Sequence, residues 1–254
     1  MSENNYSPRK NREIRGYARE RLLGNMFIPC LVTLFFFFMH NTFEIMMQLG
    51  VLGKDTFSFV FYIVLFLTVN SLWGIIRYGI SRYFLSFITT KKAHPMDVFA
   101  GLRHSTEVII SASLFMTVIS LVFQLPYLIY SFFFASNTVA GLIVGLIMLT
   151  AGNIILFFIE CYLSQIYFVI CDYPGMRFPM VLLMSLSLMG MKYFLKYIRL
   201  KISFIPLYAL GFMSLGVGLL WVVPYAYTSY AYFYEDLCER YLQECRKRYP
   251  SSVN

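Results

Sequence analysis

The sequence predicts an all-α fold, a polytopic transmembrane helical bundle of about six spans with an N-terminal amphipathic helix and an interfacial helix before the fifth span. Three observations predict it. Of 254 residues, 59% are hydrophobic and 13% are charged, against roughly 25% charged in soluble domains. The apolar residues fall in runs of about 20 or more, the length that crosses a bilayer. The basic residues, which leave a net charge of +8, sit in short clusters between those runs. That distribution orients a membrane protein and does not suit nucleic acid.

Residues 1–25 carry Arg9, Lys10, Arg12, Arg15, Arg19 and Arg21. They are too long for the n-region of a signal peptide and are followed by no small-residue cleavage site, so they read as a retained cytoplasmic basic segment. Asn11 opens a helix with Ile14, Tyr17, Ala18 and Leu22 on one face, expected to lie flat on the membrane with its arginines near anionic headgroups. The transmembrane domain occupies residues 26–241. Its first span is Met26 to about Leu49, centred on Phe35–Phe38, and Lys54 and Asp55 mark the first outer loop. The second is Phe57 to about Phe87, with a cytoplasmic extension. Pro95 and Asp97 then turn the chain into a short surface helix. Val108–Phe134 is the third span, kinked or broken at Pro126, and the loop after it, Ala135–Thr138, is minimal. Val139 to about Ile170 is the fourth, with Gly141, Gly145 and Gly152 as close-packing surfaces.

Met180–Met191 is apolar but too short to cross, which predicts an interfacial or re-entrant helix. Lys192, Lys196, Arg199 and Lys201 lead by snorkelling into the fifth span, which ends near Leu215. The sixth, Gly216–Leu237, is interrupted by Pro224, and its tyrosines 225, 227, 230, 232 and 234 read first as headgroup-level anchors. Residues 242–254 form a basic cytoplasmic tail. With both termini cytoplasmic, every Lys and Arg except Lys54 lies in or beside a cytoplasmic segment. A further span through Met180–Met191 would move the Lys192–Lys201 cluster outside and break the positive-inside rule.

Ionisable residues inside spans are costly and mark candidate sites. Asn153, Glu160, Ser164 and Tyr167 share one face of the fourth span, and Asn70 and Arg77 share one face of the second. Arg77 and Glu160 lie about 30 Å from the outer ends of their helices, at 1.5 Å per residue. The candidate intramembrane polar cluster is therefore Asn70, Arg77, Asn153, Glu160 and Ser164, with an expected Arg77–Glu160 ion pair. His40 and Glu44 are expected to hydrogen-bond at the outer interface, since two residues do not make a zinc site. Cys30, Cys161, Cys171, Cys238 and Cys245 have no metal-like spacing and read as reduced interior residues. No hydrolase, metalloprotease or phosphate-loop motif is present.

From about Cys161 onward a series of short motifs stands in order. It comprises Tyr162–Asp172 with Pro174; Ser187, Leu188, Met189, Gly190 and Lys192; Ile202, Ser203, Phe204 and Ile205; Gly216–Gly218; Leu220, Trp221, Pro224 and Tyr225; and Phe233, Tyr234, Glu235, Asp236 and Leu237. The series resembles the bacterial integral membrane proteins catalogued as domain of unknown function 975, and residues 11–25 are similar to that family's opening helix. Two departures stand out: MVLLMSLSLMGMK lacks the charges usual in the family's short helix, and Pro206 and Leu207 replace an expected tryptophan. The resemblance implies a multi-span bacterial protein, and it supplies no catalytic residues.

The sequence reading is thus a non-enzymatic accessory or interaction protein of the bacterial inner membrane, without cofactor or metal. Its expected partners are the lipid bilayer, anionic headgroups at the cytoplasmic face and a membrane protein. The alternative is a small transporter or channel built on the cluster around Glu160 and Arg77.

Overall fold

The structure is a computed structural model that describes residues 8–49, 55–90, 93–102, 105–134 and 138–248. The expected outer loop at Lys54, residues 135–137 of the next outer loop and the end of the tail from residue 249 lie outside the described residues. Among the described residues, regular structure is helical throughout. Ten α-helices follow in order: α1 Asn11–Leu22, α2 Phe27–Leu49, α3 Thr56–Thr89, α4 Thr106–Ile129, α5 Val139–Tyr162, α6 Ile166–Asp172, α7 Phe178–Leu188, α8 Met191–Ile202, α9 Ile205–Met213 and α10 Leu219–Arg248. A 3-10 helix, Pro95–Leu102, precedes α4, and a π-helical turn, Tyr130–Phe134, ends it.

Three helical stretches are long and apolar enough to cross a membrane: Thr56–Thr89, Thr106–Phe134 and Val139–Asp172. Two bent pairs raise the number to five if each pair is one span. They are α1 with α2, bent by 105°, and α7 with the α8–α9 stretch, bent by 83°. Five of the six expected spans fall on these candidates. The sixth, α10, is not apolar enough to qualify by itself, because hydroxyls and the Glu235–Asp236 pair interrupt its apolar residues.

The long helices start where a polar side chain satisfies free amides. The Asp55 carboxylate accepts from the Ser58 amide at 3.4 Å, and from its hydroxyl at 2.6 Å, and caps α3, and the Thr138 hydroxyl accepts from the Gly141 amide at 3.2 Å and caps α5. At 34 residues, α3 is about 51 Å long at 1.5 Å per residue, longer than a bilayer core. It is bound to α4 where Ser113 of α4 donates to the Asn70 carbonyl at 2.8 Å, beside Gly74. The 3-10 helix lies directly on α3, because a Cβ at Gly79 would collide with the Val98 backbone. The short surface helix expected after Pro95 is therefore half interior. Pro126 does not break α4, which continues to Ile129 before the π turn.

A tight turn with Leu215 at φ +54° and Gly216 at φ +85° joins α9 to α10. The two helices touch through backbone at Gly211 and Gly218. The α10 helix is the central post of the bundle and packs against α1, α2, α3, α7 and α9. Its tyrosines, read first as headgroup anchors but too many around the helix for all to face lipid, make contacts with protein. Tyr225 donates to the Arg15 carbonyl, Tyr227 stacks on Phe84, Tyr230 packs on Tyr197 and Phe204, and Tyr234 stacks on Phe168.

The α1 helix is also placed differently from expectation. Its apolar face, Ile14, Ala18 and Leu22, is buried, and α1 packs on α10 and α8. The face reserved for lipid in the sequence reading is spent on protein. Arg12 and Arg19 remain exposed.

Candidate functional site

Two polar centres lie between the helices. The first is at the end of the bundle that carries the basic clusters. Asp236 of α10 is fully buried, and its carboxylate accepts from the Lys196 ammonium of α8 at 2.7 Å and from the Arg9 amide at 3.0 Å. The Arg9 guanidinium reaches Glu235 and Glu239, each at 3.0 Å. Burial opposes the charge of Arg9, but those carboxylates outweigh it and raise its pKa. Tyr234 donates to Asp172 at the end of α6 at 2.7 Å, and Arg240 donates to the Leu188 carbonyl at the end of α7 at 2.8 Å. About two turns of α10 thereby fasten the segment leading into α1 and the helices α6, α7 and α8.

Of the motif residues from which the resemblance was drawn, Tyr234, Glu235 and Asp236 belong to that clamp, and others pack elsewhere in the bundle. Phe233 packs on Tyr197 with ring centroids 5.0 Å apart, and Phe204 meets Tyr225 edge-on at 5.2 Å. Gly190 precedes α8 in extended conformation, the Ser203 hydroxyl bonds the Leu200 carbonyl, and Pro224 is buried inside α10. Lys192 and Trp221 are exposed.

The second centre is a cavity of about 330 Å³ lined from α2, α3, α4, α8 and α10 and from the chain between Glu160 and Phe168. Its charged side chains are Arg77 of α3, Glu160 of α5 and Lys201 of α8. Ser164 and Tyr167 line it from the turn and short helix that follow α5. Trp73, Phe36 and His40 form an aromatic wall, with His40 5.5 Å and Phe36 4.9 Å from the Trp73 ring. Tyr197, Tyr227 and Tyr230 close the side toward α8 and α10.

The cavity thus gathers Arg77, Glu160 and Ser164 from the predicted cluster and leaves out Asn70 and Asn153. The Asn70 amide bonds the Phe66 carbonyl, and the Asn153 amide bonds the Leu149 carbonyl, each four residues back on its own helix. Both lie two turns from the charged residue of their helix, and the cavity does not extend that far. The expected Arg77–Glu160 ion pair does not form; among the described residues no ion pair involves either. The two side chains face a space, not each other. His40 contributes its ring to the wall, and its expected partner Glu44 has a side chain outside those described. Among the described residues, no group of three His, Cys, Asp or Glu side chains is arranged to hold a metal.

Sequence reasoning missed Lys201, which was assigned to snorkelling and instead lies 5.6 Å from the centroids of Phe157 and Tyr197. A signal was present: Lys201 is the last basic residue before an apolar run, so of its cluster it sits deepest. Asp236 appeared only as a motif letter.

The class these features define is that of proteins helical throughout their described residues, with three to five stretches long and apolar enough to cross a membrane and a cavity between helices lined by charged side chains. Within that class, the chain belongs to the family described as Protein of unknown function (DUF975), whose model matches residues 1–241. No curated protein and no solved structure matches it.

Proposed function

We propose that the protein is a non-enzymatic accessory protein of the bacterial cell membrane that holds a polar ligand in the Arg77–Glu160–Lys201 chamber. The observation that carries this reading is the convergence of three charged side chains from three helices on one cavity, with no ion pair joining them. Charges placed within membrane-spanning helices are costly, and leaving them unpaired is consistent with their having a ligand to meet.

A cavity is also what a transporter needs. Holding is favoured over passage because the polar lining stops. Asn70 and Asn153, two turns farther along their helices, are satisfied on their own backbones. The adjoining cavity between α2 and α10 is lined by apolar side chains apart from Thr33 and His40. A polar solute leaving the chamber in that direction would lose its hydrogen bonds.

In this reading the basic end, with both termini, faces the cytoplasm, as the distribution of Lys and Arg requires. The α10 helix crosses as a sixth, inner span whose hydroxyls are shielded by its neighbours. Purified protein in vesicles of phosphatidylethanolamine and phosphatidylglycerol should leave proton and potassium gradients decaying at the protein-free rate. A flux that Arg77→Gln abolishes would overturn holding in favour of transport.

A further inference from the structure

Building on that proposal, we infer that the ligand is one phospholipid, its phosphodiester head in the chamber and an acyl chain in the groove between α2 and α10. We infer further that the site prefers heads that donate hydrogen bonds. The groove has a volume of about 410 Å³, and its walls include Leu34, Phe37, Leu219, Leu220 and Val223. Phe36 and His40 line both the groove and the chamber, so a polar space and an apolar one share a wall. That pairing matches an amphiphile. A soluble ion would fill the chamber and leave the groove without a role.

The chamber's side chains specify the head. Arg77 and Lys201 can only donate, so they require an acceptor, and a phosphate oxygen is the acceptor a guanidinium binds best. The Tyr167 hydroxyl, also in the lining, is shielded from solvent and stands next to Arg77, which extends the donor-bearing side of the chamber. The two cations set the phosphodiester on their side of the chamber and leave Glu160 for another part of the head. Glu160 can only accept, so it requires a donor elsewhere on the same head. The ammonium of ethanolamine and the hydroxyls of glycerol provide one; the quaternary ammonium of choline has no N–H.

The test is native mass spectrometry of the full chain in detergent, titrated separately with phosphatidylethanolamine, phosphatidylglycerol, phosphatidylcholine and the tail-less probe glycerol phosphate. The wild-type protein should retain the first two lipids about tenfold better than the third, the ratio expected of one charge-assisted hydrogen bond. Arg77→Gln should weaken both by a similar factor, and Arg77→Lys should weaken them less. Glu160→Ala should erase the discrimination against choline. Leu34→Trp, which fills the groove, should weaken lipid but not glycerol phosphate. Equal retention of all three lipids by the wild type overturns the inference without any variant. If glycerol phosphate binds in an Arg77-dependent way and no lipid is retained, the lipid assignment falls and the ligand-holding reading stands. If none of the four probes binds, both fall.

Discussion

The carboxylate of Asp236 is fully buried and accepts from two chain segments at once, Lys196 at 2.7 Å and the Arg9 amide at 3.0 Å. Glu235, its neighbour, meets Arg9 at 3.0 Å with both side chains partly in solvent. Burial decides which of the two matters. Asp236→Ala removes the fully buried acceptor of an ammonium that is itself only 18% exposed and is expected to cost about 2–3 kcal/mol. Glu235→Ala removes a partly screened pair and is expected to cost less than about 1 kcal/mol. Thermal unfolding of the two variants in detergent checks the contrast, and equal losses would show that the clamp does not depend on burial. The sequence could flag Asp236 as a motif residue but not assign its role. Its partners lie 40 and 227 positions away in the chain, and no local pattern encodes such a meeting.

At the scale of elements, close helix contacts were only partly legible. Glycines on the fourth span announced a packing face, and Gly152 does lie against the Phe123 carbonyl of α4. Gly79 gave no such signal, because the 3-10 helix that occupies its space is short and irregular. Gly79→Ala places a Cβ against the Val98 backbone, which has no rotamer with which to yield. It is expected to displace that helix at a cost of about 1–3 kcal/mol. In α1, Gly16 has open space around the position of a Cβ, and Gly16→Ala should stabilise the protein by up to about 1 kcal/mol through helix propensity. Opposite signs in the two unfolding temperatures are the expected outcome. The tyrosines of α10 mark the other limit of element-level reading. Their composition suits a headgroup belt and an interior hydroxyl-bearing post equally well, and only the neighbours of α10 separate the two.

For the whole molecule, the long apolar runs were enough to give a helical fold with several helices long and apolar enough to cross a membrane. The chamber was half legible. Helical spacing put Glu160, Ser164 and Tyr167 on one face, and depth put Arg77 near them. The chain gave no way to foresee that α8 would fold back through an 83° bend after α7 and bring Lys201 to the same space. It also gave no way to foresee that the charges would face a cavity instead of pairing.

The central claim is that this chamber is open to polar molecules while the outer faces of the same helices are not. It is tested by single-cysteine labelling in membranes, with the five native cysteines replaced. Ser164→Cys lines the chamber, and Ile154→Cys, at a site that is 59% exposed on the outside of α5, serves as the control. A membrane-impermeant charged methanethiosulfonate should modify the cysteine at 164 and leave the one at 154 unmodified. Equal lack of reaction at the two positions would contradict the account.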